Sequence, residues 1–230
     1  MRIAQITLAT ADPAAQARFW GEQLGLRVQQ ADGSVEVALQ RSTICFEPAD
    51  EGVDARYHFA INAPPGSIED AAGWLGGRHQ LLAFAGDAEE EDGTTIVHTD
   101  RGASAFYFLD AAGNVVELIS NPYIDDERET RFGPDSLLEI AEIGVATADT
   151  GATRAAVEEV FGAGVLWGGS DESRLTAIGD DHGVVIVAPA GRGWIPVGLP
   201  ARPLPTTIVA QGPRPAEATL PEGPYRLRAS

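Results

Sequence analysis

Residues 3–12, IAQITLATAD, recur as residues 140–149, IAEIGVATAD, with seven of ten positions identical. In both places a helix-like stretch ending in glycine follows, so the chain repeats a supersecondary unit and its fold must accommodate both copies. In the first copy Ala4, Ile6 and Leu8 alternate with Ile3, Gln5 and Thr7, the period-2 pattern of a strand. Asp12 caps a helix with Pro13 at its first position, Ala17, Trp20 and Leu24 form an apolar stripe, and Gly25 ends it. Strand-like runs at 26–30, 34–39 and 42–47 complete a β-α-β-β-β unit.

A second unit opens at 57–63 (YHFAINA). Its helix starts after Ser67 and runs through Ile68, Ala71, Ala72 and Leu75, and strands follow at 80–84, 103–109 and 115–120, the last two joined by DAAGN. The charged stretch 124–131 lacks periodicity and reads as a surface linker. A third unit has a strand at 138–147, a helix at 152–161 and strands at 165–168, 175–178 and 184–188. The fourth is eroded: after a strand at 206–210, Pro213, Pro215, Pro221 and Pro224 leave no room for a helix, and only 225–228 adds a strand. The expected fold is α+β, tandem βαβββ modules forming curled mixed sheets. Residues 1–122 hold two modules and the site, 123–136 a linker, and 137–230 a second, degenerate half.

Composition narrows the function. Sixteen Arg and Lys against 34 Asp and Glu give a net charge of −18, which repels phosphate backbones and anionic membranes, so nucleic acid and membrane are not expected partners. The sequence has no lysine, which excludes Schiff-base and lysine-dependent phosphate chemistry. A single cysteine, Cys45, forbids an intrachain disulfide, and with neither a signal peptide nor an 18-residue apolar run the expected location is the cytoplasm.

Four polar residues interrupt strands whose other face is apolar: Gln5, Glu47, His58 and Glu117. Alternation sends all four to the sheet face away from the helices. An amide, an imidazole and two carboxylates make a donor set suited to a divalent metal with open positions, and without a metal converging carboxylates repel one another. Thr7, Cys45, Ala60 and Asn62 share this parity and are expected to line the same cavity. Phe106 and Phe108 supply either an apolar wall or plain core packing. His98, His79 and His182 read as strand-end or loop residues, the acidic run 87–92 as a solvated loop, and Cys45 as a small buried hydrophobe.

The segments IAQITLATAD, FWGEQLGL, YHFAINAP and FYFLDAAGNVVELIS resemble the vicinal oxygen chelate superfamily, which groups glyoxalase I, bleomycin and fosfomycin resistance proteins, extradiol dioxygenases and methylmalonyl-CoA epimerases. The resemblance covers residues 1–120 and, more loosely, 137–190. It implies paired βαβββ modules around a metal held by Gln5, His58 and Glu117, with Glu47 where glyoxalase-like members add a Glu. Zn²⁺ or Ni²⁺ is the favoured ion, Fe²⁺ or Mn²⁺ the alternative. In the tandem copy Glu142 stands for Gln5, Ala188 for Glu47 and Thr206 or Thr207 for His58, with no terminal Glu, which reads as a structural pseudo-repeat.

The leading expectation is a glyoxalase-type lyase or isomerase that binds a small substrate through adjacent oxygens and stabilises an enediolate, with Glu117 as base. A non-catalytic protein that sequesters a small drug or metabolite is the alternative. An extradiol dioxygenase is disfavoured by Gln at position 5. Monomer and homodimer both fit.

Overall fold

The computed structural model describes residues 1–83, 95–126, 131–169, 174–220 and 223–230. The acidic run 87–92 lies outside them.

The first module is β1 (Ile3–Thr10), α1 (Pro13–Ala17), β2 (Arg27–Ala31), β3 (Ser34–Ala38) and β4 (Thr43–Pro48). Asp12 caps α1 by accepting from the Ala15 amide at 2.9 Å, and the helix continues as a π-helical turn through Gln23. The second module is β5 (His58–Ala63), α2 (Ile68–Gly76), β6 (Leu81–Leu82), β7 (Val97–His98), β8 (Ser104–Leu109) and β9 (Val115–Ser120). Ser67 stands before α2 as expected, but its hydroxyl donates to the Pro64 carbonyl instead of capping the helix.

The third module is β10 (Glu139–Thr147), α3 (Thr150–Phe161), β11 (Val165–Trp167), β12 (Thr176–Asp180) and β13 (Gly183–Pro189). A separate hairpin, β14 (Gly193–Trp194) with β15 (Leu199–Pro200), follows. The fourth module is β16 (Thr206–Ala210), β17 (Ala216–Leu220) and β18 (Tyr225–Ala229). Its described residues hold no helix, in keeping with the prolines, but one strand more than its sequence suggests. α3 packs against β17 and β18 as well as β12 and β13, so one helix covers both modules.

Modules pair out of order. β1 runs antiparallel to β16, which joins the first module to the fourth, and β10 runs antiparallel to β5, which joins the second to the third. The two curved sheets meet where Ile3 pairs with Ile140. On the helix side, Ile6, Leu8, Ile44, Phe46, Trp20, Phe59, Phe106, Val145 and Leu227 belong to one continuous core. The opposite faces form two cups. The cup between modules two and three holds a second apolar cluster, including Tyr107, Val184, Ile186, Ala188 and Trp194.

Candidate metal centre

A buried polar chain sets where β5 begins. The Trp20 indole donates to Gln16 at 3.0 Å, and Gln16 and Asn114 donate side-chain N–H groups to Asp110 Oδ2 at 2.8 and 2.7 Å. The backbone amides of Ala112 and Asn114 donate to Asp110 Oδ1, closing the DAAGN turn, while Asn114 Oδ1 accepts from the Tyr57 amide at 2.8 Å. Burial pushes the Asp110 carboxyl up, and these four donors oppose that shift. The turn thereby holds Tyr57 and, next to it, His58.

His58 is the first residue of β5, between β9 and β10. Its Nδ1 donates to the Val115 carbonyl at 3.2 Å, since a carbonyl only accepts, and this turns Nε2 toward two carboxylates. Nε2 lies 3.8 Å from Glu117 Oε2 and 3.6 Å from Glu142 Oε2. The register explains the convergence. Ala60, opposite Glu142 on β10 and Glu117 on β9, is a small residue between two carboxylates, and His58 shares their face. One ligand atom from each of the three residues lies within 4.8 Å of the others.

The Glu117 carboxyl is held well above the usual carboxylate range, first by burial and second by the Glu142 charge, against the Tyr107 hydrogen bond that favours its ionised form. Tyr107 sits opposite Glu117 in the β8–β9 register, and its hydroxyl titrates far above the ordinary phenol range because it is buried beside that carboxylate. The buried Glu117 and half-buried Glu142 carboxylates, facing His58 Nε2, form a donor cluster whose charge a divalent cation would neutralise. The residues therefore fit a metal: His58 through Nε2, with Glu117 and Glu142 through oxygen.

The expected quartet is not assembled as one site. Gln5 lies opposite Thr43 and Val209 with its amide donating to Thr7 at 3.2 Å, and Glu47 is exposed opposite Ala9. Both belong to the first-and-fourth-module cup, as do Thr7 and Cys45. Because modules pair second with third, the residue that joins His58 and Glu117 is Glu142, the tandem counterpart of Gln5. The third module is thus more than a structural repeat. Phe106 and Phe108 are corrected as well: both point into the helix-side core, and the cavity-facing aromatic on β8 is Tyr107. An F-Y-F alternation carried this signal, since tyrosine brings a polar tip to the face away from the helices.

A cavity of about 320 Å³ opens over the cluster. His58, Glu117, Glu142, Tyr107 and the expected Asn62 line it, with Leu166, Trp167, Leu175 and Trp194 from the third module and its hairpin. The Trp194 ring lies 5.0 Å from the His58 ring at a 32° tilt. At the rim Arg101 donates to Asp181 at 2.8 Å. Ala188, the tandem counterpart of Glu47, is fully buried in the same cup, so the register position where a carboxylate would be a fourth ligand carries only a methyl group.

The glyoxalase-like domain model matches residues 5–119. The chain belongs to this glyoxalase-like family of the vicinal oxygen chelate superfamily, in keeping with its βαβββ modules. Among solved structures, a Bacillus subtilis protein whose name marks it as a provisional dioxygenase is similar over 100% of this chain and 85% of its own, at 14% identity and a TM-score of 0.63. Glyoxalase I from Zea mays matches over 99% of this chain and 92% of its own, at 12% identity and a TM-score of 0.56. These likenesses establish the fold. No curated protein sequence matches the chain. No helix among the described residues is long and apolar enough to cross a membrane.

Proposed function

We propose that this protein is a metal-dependent lyase or isomerase that moves a proton on a small substrate presenting two adjacent oxygens, with His58, Glu117 and Glu142 as the metal-holding residues. The observation that carries the reading is His58 Nε2 at 3.8 Å from the buried Glu117 carboxylate and 3.6 Å from the half-buried Glu142 carboxylate, in a cavity of about 320 Å³. A divalent cation held there would supply Lewis-acid polarisation of the substrate oxygens. Zn²⁺ or Ni²⁺ suits the imidazole, and two carboxylates also admit Mn²⁺ or Fe²⁺.

The chain's own residues supply the rest. Glu117, oriented by the Tyr107 hydroxyl, is placed to take the proton from the carbon beside a carbonyl. The apolar walls limit the water that could compete for that proton. The test is exchange of the α-proton of an α-hydroxycarbonyl compound with deuterated solvent, followed by NMR. Exchange by the metal-supplied protein, lost in Glu117→Gln while the melting curve is kept, is the expected result; equal exchange in that variant overturns the reading.

A second reading, oxygen insertion into an aromatic vicinal diol, is favoured by the count of three ligand residues with Ala188 at the fourth position. Non-haem iron oxygenases use three protein ligands and leave positions open, although with two His and one carboxylate. Oxygen uptake with Fe²⁺ and a catechol, without α-proton exchange, would select it. Retention of all three metal-type residues counts against a purely sequestering role.

A further inference from the structure

Trp194 is held in the closed cup by an arrangement that only glycine permits. A Cβ on Gly144 would stand 2.7 Å from the Trp194 ring, so position 144 must be bare for the indole to lie against His58. The hairpin that delivers it is closed at its base, where Ala201 donates to the Arg192 carbonyl and Gly191 to the Ala201 carbonyl, each at 2.7 Å, and it is tied to β10 by the adjacent Ala190 amide, which donates to the Thr147 carbonyl at 2.9 Å. Trp194 is only 4% exposed and lines the cavity; Ile195, next to it at the hairpin tip, also lines the cavity and is 46% exposed. Across the same space stand Leu166, Trp167 and Leu175. The three metal-type residues thus share a mostly apolar cavity with two indoles and aliphatic side chains, beside the polar side chains of Asn62, Asn121, Arg101 and Asp181.

We propose that Trp194 is a specificity-determining residue that favours substrates carrying a flat apolar ring beside their paired oxygens. The inference rests on the cavity being a substrate site, as proposed above. Paired oxygens directed at His58, Glu117 and Glu142 leave the remainder of a small substrate among the indoles and aliphatic side chains, where an apolar ring gains by leaving water and a short alkyl group gains less. A rigid indole on a tethered hairpin makes that gain dependent on ring shape.

The test uses two probes with the same α-hydroxycarbonyl group, 2-hydroxyacetophenone and hydroxyacetone, which differ by phenyl for methyl. Affinities are measured by isothermal titration with and without Zn²⁺ on wild type, Trp194→Ala, Trp194→Phe and Gly144→Ala, each first shown folded by its melting curve. Wild type is expected to prefer the phenyl probe by about tenfold or more, given the added apolar area. Trp194→Ala and Gly144→Ala, which remove or displace the ring, should cut the ratio of the two affinities to about twofold, and Trp194→Phe should keep most of it. Ile195→Ala, at the exposed tip, gives a smaller loss and serves if the ring variants do not fold.

Equal wild-type affinities, or a preference that survives in the ring variants, overturns the assignment. Failure of Zn²⁺ to alter either affinity would instead count against the metal reading, and the phenyl preference would still be decided in the metal-free protein.

Discussion

The two cups are built from the same repeat and have opposite contents. In the cup of modules two and three, the register row holds Glu142, Ala60 and Glu117, with His58 on the same face. In the cup of modules one and four, the corresponding row holds Gln5, Val209 and Arg228, and Thr207 takes the place of His58. Arg228 is exposed and paired with Glu217 at 3.2 Å. One cup has Ile186, Ala188 and Val184 on its strands and Trp194 on its wall; in the other, Cys45, Glu47 and Thr43 occupy the matching strand positions. A duplicated scaffold keeps its core side under common constraint, because both sheets share one apolar interior, while each cup face is free to specialise. Here the covering hairpin and the three metal-type residues lie in the same cup.

The largest expected contrast is in metal binding. His58→Ala should weaken Zn²⁺ binding by about 100-fold or more, since even changes to residues that only orient ligands cost 10–100-fold. Gln5→Ala should leave affinity unchanged; competition against a chelator measures both, and equal losses would abolish the distinction between the cups. Next in size is Ala188→Glu, which restores a carboxylate at the fourth register position. Forced into a packed apolar cluster, it should destabilise the metal-free protein by about 1–3 kcal/mol. Zn²⁺ should then raise its melting temperature more than that of wild type.

A smaller effect is expected in pH dependence. The folded Glu117 carboxyl titrates above the 4.5 of an unperturbed glutamate, so above pH 4.5 the folded state retains a proton that the unfolded state has lost. Stability of the metal-free protein should therefore fall as pH rises through that window. Glu142→Gln removes the repelling charge and should flatten the fall, as read from melting temperature between pH 4.5 and neutrality. Smallest is Glu47→Ala: the side chain is exposed, so stability should stay within about 0.5 kcal/mol and metal affinity should not move.

Local patterns carried most of the fold. Alternation in IAQITLATAD, the Asp12 cap with Pro13, and the DAAGN turn located strands and helices because each is decided by neighbours in sequence. Module pairing is decided elsewhere, by edges such as β1 with β16 and β5 with β10 that are far apart in sequence, and the choice of Gln5 and Glu47 as partners of His58 failed there. Parity correctly sent Gln5 to a cup face but could not say which cup. Glu142 was visible as the tandem counterpart of Gln5, yet its meaning depended on the pairing. Trp194 lies in a Gly- and Pro-rich hairpin with no periodicity, so nothing local ties it to His58; only the bare Gly144 beneath it reveals the contact.

The difference between the two cups comes down to where a metal binds. Anomalous X-ray diffraction from crystals equilibrated with Zn²⁺, recorded on both sides of the zinc absorption edge, locates the ion directly. One peak between His58 Nε2 and the carboxylates of Glu117 and Glu142, with none beside Gln5 or Glu47, is the predicted result. A peak in the open cup, or none within reach of His58, would contradict it.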